Sequence, residues 1–133
     1  DIDSRFTQRE VSAIEEWKST DKKLHIMRDH PHHNYKMMAG MWGIKGERNF
    51  CMKEKIKDSA HRNEKILHSK ISDQIFLESI YDLYRNEMLV HDNWNRFNDS
   101  QPFPESRVGQ EFVGEIFDAD DNALYYYPGE IFL

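Results

Sequence analysis

The tightest local constraint in the chain is Thr7-Gln8-Arg9-Glu10. A Thr followed three residues later by Glu is a capping box, whose hydroxyl and carboxylate satisfy the free amides of a helix's first turn. Val11, Ile14 and Trp17 follow at helical spacing, so a helix is predicted over 8–19. Leu24, Ile26 and Met27 then fall in Lys22 to Arg28, a short strand that ends before Asp29-His30-Pro31 because Pro31 disfavours helix at His30. Residues 29–46, with Pro31, Gly40, Gly43 and Gly46, read as loop. A second helix is predicted over 49–56, and Ser72 caps a third over 73–87 whose face is Ile75, Phe76, Ile80, Leu83 and Tyr84. Strands are expected over 88–92, 111–117 and 124–127, the last two joined by the acidic turn 118–122. This order implies a mixed α/β fold.

The 133 residues suit a single domain, and 38% apolar residues with eight Phe, six Tyr and three Trp supply a core. A net charge of -6, with Lys and Arg scattered along the chain, argues against a nucleic-acid partner. The one cysteine, Cys51, excludes an internal disulfide. No apolar run approaches the roughly 18 residues that span a bilayer and no signal-peptide pattern opens the chain, so it reads as a soluble segment with no assigned compartment. Because Asp1 begins a motif with no strand before it, the sequence reads as truncated, with an upstream portion expected.

Five groups of residues can carry chemistry. Asp1 and Asp3 flank one residue, so in extended backbone both carboxylates project to one side and can share Mg²⁺ or Mn²⁺; a solvated terminus is the other reading of that spacing. The spacing recurs at Asp118-Ala119-Asp120, where an exposed turn accounts for it. His30, His32 and His33 beside Asp29 offer mixed nitrogen and oxygen ligands, or else form a loop of hydrogen-bonded imidazoles. In Met38-Ala39-Gly40-Met41-Trp42-Gly43 the small residues let backbone approach a ligand and Trp42 can floor a sugar ring, unless the segment is a buried turn. Asp73-Gln74 pairs a carboxylate with an amide at a helix start, suited to sugar hydroxyls or to simple capping. His91-Asp92 can complete a metal shell or pair with each other.

In order, D-I-D-S-R-F-T-Q-R-E, E-W, H-I-M-R-D-H-P-H-H and M-A-G-M-W-G-I-K, then S-D-Q-I-F-L, L-V-H-D, F-P-E-S-R and E-F-V-G-E-I-F-D, resemble a group of little-characterised glycosyltransferase-like proteins over nearly the whole chain. More distantly the layout is similar to the glycogenin-like and lipopolysaccharide galactosyltransferases, although those carry Asn before Ala-Gly where this chain has Met38. The resemblance implies a GT-A-like mixed sheet flanked by helices, the C-terminal part of a larger nucleotide-sugar-binding domain. It implies transfer of a sugar from a nucleotide-sugar donor to a carbohydrate or other hydroxyl acceptor with Mn²⁺ or Mg²⁺. By the same resemblance Asp1, Asp3 and His91 would ligate the metal, and Ala39, Gly40 and Trp42 would line the sugar pocket. Arg28 would meet phosphate, Asp29 a sugar hydroxyl and His30 the donor, while Asp73 and Gln74, the catalytic pair, would contact the donor sugar or the acceptor, Asp73 serving as catalytic base or as a positioning group. Two alternatives compete: a metal-dependent hydrolase built on Asp29, His30, His33, His91 and Asp92, and a non-catalytic carbohydrate-binding module.

Overall fold

A computed structural model describes residues 3–46, 51–62 and 72–124. Helix α1 (Gln8–Lys18) is followed by strand β1 (Leu24–Met27), strand β2 (Trp42–Ile44), helices α2 (Met52–Arg62) and α3 (Ser72–Leu83) and strand β3 (Met88–His91). The sheet has the order β2-β1-β3, with β1 antiparallel to β2 and parallel to β3. A small mixed α/β domain with a three-stranded mixed sheet is therefore the observed architecture, as the sequence predicted at that level.

Thr7 caps α1 as expected, its hydroxyl accepting from the Glu10 amide at 3.1 Å. The buried stripe, however, is Arg9, Ala13 and Trp17, while Val11 stays 40% exposed. A strict four-residue step replaces the expected 11/14/17 face because the helix is rotated to bring a charged residue inward. Trp17 fixes the far end, donating from Nε1 to the Lys22 carbonyl at 2.9 Å and stacking on His25 with ring centroids 5.1 Å apart.

All four residues of β1 are buried, and the pleat divides them between two clusters. Leu24 and Ile26 join Leu77, Ile80, Tyr81, Tyr84 and Val90, which seats α3 on one face of the sheet. Met27 joins Ala13, Met41, Phe103 and Val113, which seats α1 on the other. Of the expected α3 face, Ile80 and Tyr84 are buried but Leu83 is 53% exposed, and Tyr81 takes an inward place instead. The helix also stops at Leu83, short of the predicted 87, since a turn closed by the Glu87 amide on the Tyr84 carbonyl (2.8 Å) feeds directly into β3.

Strand β2 lies inside the stretch read as loop. Three residues are too few for alternation to register, and the pairing partner Leu24–Met27 lies about twenty residues upstream in sequence. Its middle residue must be small: a Cβ on Gly43 would sit 3.2 Å from the Trp17 ring. The expected strand over 111–117 is instead a series of turns carrying isolated bridges, Ser4 to Ile116 and Phe117 to Ala123. The turn at 118–122 is as predicted, held by the Asp118 carboxylate accepting from the Asp120 and Asn122 amides, both at 2.9 Å. The second helix runs from Met52 to Arg62, well past the predicted end at 56; residues 49 and 50, like 125–127 of the last expected strand, lie outside the described residues. No helix among the described residues is long and apolar enough to cross a membrane.

Thr7→Ala removes the cap and is expected to cost about 1 kcal/mol, read as a lower urea midpoint with an unchanged slope.

Candidate functional site

Strands β1 and β3 are parallel, and in open α/β sheets the carboxyl ends of such strands are where polar, ligand-handling residues collect. Here those ends carry Arg28-Asp29-His30 and His91-Asp92, and all five side chains are buried. Five N–H donors converge on the Asp29 carboxylate. Arg9 supplies two from α1, Nη2 to Oδ1 at 2.9 Å and Nε to Oδ2 at 3.0 Å. Arg107 supplies two from the C-terminal loops, Nη2 to Oδ1 at 2.7 Å and Nη1 to Oδ2 at 3.3 Å, and the Val113 amide completes the set at 3.0 Å. Next to it Arg28 donates Nε to Asp92 Oδ2 at 2.9 Å, Nη2 to Asp99 and Nη1 to the Lys36 carbonyl, while Tyr81 donates to the other oxygen of Asp99 at 2.7 Å. Three guanidinium groups thus face three carboxylates, which is how charges of this kind survive burial. Tyr81 is pushed up to about 12, first by burial and then by its bond to Asp99.

A second buried chain runs through imidazoles. His91 Nε2 lies 2.7 Å from Glu16 Oε2 and its Nδ1 lies 2.8 Å from His25 Nε2. A carboxylate can only accept, so on neutral rings His91 carries its proton on Nε2 and accepts at Nδ1 from His25. Burial, reinforced by its neighbour His91, lowers His25 to about 3. Burial also lowers His91, against the opposing pull of Glu16. His33, whose Nδ1 accepts from the Asp29 amide at 3.0 Å, is lowered to about 3 by burial and then by its electrostatic interaction with His30 and Arg96.

An open cleft of about 200 Å³ lies on the α1 side of the molecule, lined by Ser4, Arg5, Phe6, Glu10, Gly40 and Gly114. It joins three segments remote in sequence: residues 4–10, which lead into α1, the loop bearing Gly40 and the loop bearing Gly114. Gly114 is required there, since φ is +85° and a Cβ would run into the Met41 sulfur. Arg5 donates to Asp121 at 2.6 Å in an exposed pair. Glu10 is half-buried, and that burial raises its carboxyl above the ordinary value against the lowering effect of the Thr7 amide. A second cleft of about 280 Å³ lies between α2 and α3, between Lys55, Asp58, Ser59 and Arg62 on one helix and Ile75, Ser79, Ile80 and Leu83 on the other.

The predicted site residues separate into distinct places. Of the pocket-forming set, Gly40 lines the smaller cleft, Ala39 is exposed beside it, and Trp42 packs its ring against the α3-side core. Arg28 and Asp29 are fully buried with their hydrogen-bonding groups engaged by protein, so in this conformation they hold loops together and do not face a ligand. His30 is buried against Phe112, and its Nδ1 accepts from the His32 amide at 3.1 Å. Asp73 is exposed at the start of α3 and accepts from the Gln74 amide at 2.9 Å; neither it nor Gln74 lines either cleft. Asp3 is exposed with its carboxylate unengaged among the described residues, and its carbonyl accepts from the Phe117 amide at 2.8 Å. Asp1 lies outside the described residues. Asp3 thus keeps its carboxylate open to solvent, whereas His91 in this arrangement has no lone pair to give. Among the described residues no group of three or more His, Cys, Asp or Glu side chains is disposed to hold a metal ion, and the carboxylates of Asp29 and Asp92 face guanidinium groups.

Sequence reasoning passed over Arg9, Arg107, Asp99, Tyr81 and Glu16. Arg9, Glu16 and Arg107 do fall within the strings D-I-D-S-R-F-T-Q-R-E, E-W and F-P-E-S-R, which was the available signal; Asp99 stands in ordinary polar surroundings where no local pattern distinguishes it.

Two outcomes follow. Asp29→Ala leaves two guanidinium groups facing one another without their carboxylate, and the expected loss is about 3–5 kcal/mol, seen as a fall in the thermal midpoint by circular dichroism or as loss of cooperative unfolding. For pH, an unfolded imidazole binds its proton near 6.5 while folded His25 and His33 resist to about 3, so the unfolded chain takes up protons first and stability falls as pH drops below 6.5. Each ring contributes on the order of 1.4 kcal/mol per pH unit once well below 6.5, partly offset by the raised carboxyls of Glu10 and Glu115, which act in the opposite sense. Unfolding midpoints at pH 7, 6 and 5 measure the slope.

No family model, no curated protein and no solved structure matches the chain.

Proposed function

We propose that the protein is a glycosyltransferase of GT-A type, transferring a sugar from a nucleotide-sugar donor to a hydroxyl acceptor at the cleft between Ser4-Arg5-Phe6 and Gly40. The observation that carries the reading is that Ser4, Arg5 and Phe6 of the string D-I-D-S-R-F and Gly40 of M-A-G-M-W-G line one concave surface although they are more than thirty residues apart. Its volume of about 200 Å³ matches roughly seven waters, the scale of one sugar ring and not of a whole nucleotide. The base and ribose would therefore be held elsewhere.

Arg5 suits the donor's diphosphate. Its present partner Asp121 is 75% exposed, and an ion pair of that kind is worth only about 0–1 kcal/mol, so a doubly charged diphosphate can displace it. Asp1 and Asp3 would hold a Mn²⁺ or Mg²⁺ ion, which when bound neutralises the departing diphosphate. His91 drops out of that ligand set, and the buried Arg28 and Asp29 serve by fixing the loops that carry the cleft walls: Asp29 binds the Val113 amide, one residue from Gly114. The hydrolase alternative loses support from the same geometry, because the two carboxylates it needs are engaged by Arg9, Arg107 and Arg28.

Asp3→Ala in the complete protein is expected to abolish turnover of a nucleotide-sugar panel assayed with Mn²⁺ while the circular dichroism spectrum stays as in the parent. Turnover at the parental rate would remove the cation role.

A further inference from the structure

The cleft contains one acid, Glu10, and one cation, Arg5, among its described lining residues, and they differ in how they are held. Arg5 reaches outward to Asp121, over the Phe117 ring at 5.5 Å. Glu10 stands on the first turn of α1, anchored by the capping interaction with Thr7, so its position is set by a helix and not by a loop. Of the other acids in the fold, Asp29, Asp92 and Asp99 answer guanidinium groups, Glu16 binds His91 and Glu105 accepts from Ser12 at 3.1 Å, and none of these lines the cleft. Gly40 and Gly114 line the same cleft and bring backbone without a side chain to its wall.

We propose that Glu10 is the general base of the transfer, taking the proton from the acceptor hydroxyl. The inference rests on the glycosyltransferase reading above. As the acceptor oxygen forms its bond to the anomeric carbon, its proton passes to the Glu10 carboxylate; the bond from that carbon to the diphosphate oxygen breaks, and its electron pair leaves with the nucleoside diphosphate. Direct displacement of this kind inverts the anomeric centre. The burial that raises Glu10 makes it a better proton acceptor than an ordinary surface carboxylate. The assignment moves the base from Asp73, whose carboxylate is turned to its own helix start.

Glu10→Gln in the complete protein is the test, since Gln serves a capping box as Glu does and the helix start is kept. With a nucleotide sugar that the parent turns over, kcat should fall by about 100-fold or more with KM changed by less than about threefold. The acidic limb of the parent's kcat/KM profile should vanish. Glu15→Gln, on the exposed side of the same helix, should leave turnover unchanged. If the parent transfers sugar but Glu10→Gln keeps its rate and its acidic limb, the base assignment is overturned and the transferase reading stands. If the parent transfers sugar from no nucleotide donor, both fall together. The parent's product provides an arm that needs no variant: an inverted anomeric configuration is expected, and a retained one overturns the base role.

Discussion

The Asp29 carboxylate is the point at which the separate parts of this molecule are tied. It follows β1, and it receives Arg9 from α1, Arg107 from the C-terminal loops and the Val113 amide beside the second core cluster. A buried carboxylate with a single cation would barely offset its own desolvation. With five donors its full acceptor capacity is used, and the excess positive charge is balanced next door, where Arg28 meets two carboxylates. Because three regions distant in sequence each supply one part, none of them can settle into place without the others.

That tie explains the orientation of α1. Left to its apolar residues, the helix would bury Val11, Ile14 and Trp17; an ion pair between Arg9 and Asp29 turns it so that Ala13 meets Met27 and Trp17 stacks on His25. The same rotation sets Glu10, one residue along from Arg9, at the wall of the cleft with Ser4, Arg5 and Phe6. Structural charge and the proposed chemistry therefore share one helical turn: the residue pointing inward holds the fold, and its neighbour faces the ligand space.

The His25, His91 and Glu16 chain plays a comparable part at the other end of α1. It links the helix to both parallel strands with bonds of 2.7 and 2.8 Å, and its rings are held neutral by burial. In the proposed transferase these imidazoles act on the frame that carries the cleft. They do not act on the sugar.

From the sequence alone, the capped start of α1, the strand at 24–27, the helix after Ser72, the strand at 88–91 and the turn at 118–122 were all legible, because each rests on contacts within a few residues: a cap, a short apolar run, an Asx turn. The short strand β2, the true face of α1 and the irregular course of 111–117 were not, because a pairing across the chain and a buried ion pair outweigh local periodicity there. The candidate site divides in the same way. Arg28, Asp29 and Gly40 stood out as residue types, but whether a charged side chain meets a ligand or another side chain depends on what stands opposite it. That is a matter of distance between residues up to 84 apart in sequence, and tertiary structure alone decided that Asp29 would face Arg9, Arg107 and Val113 while half-buried Glu10 would line the cleft.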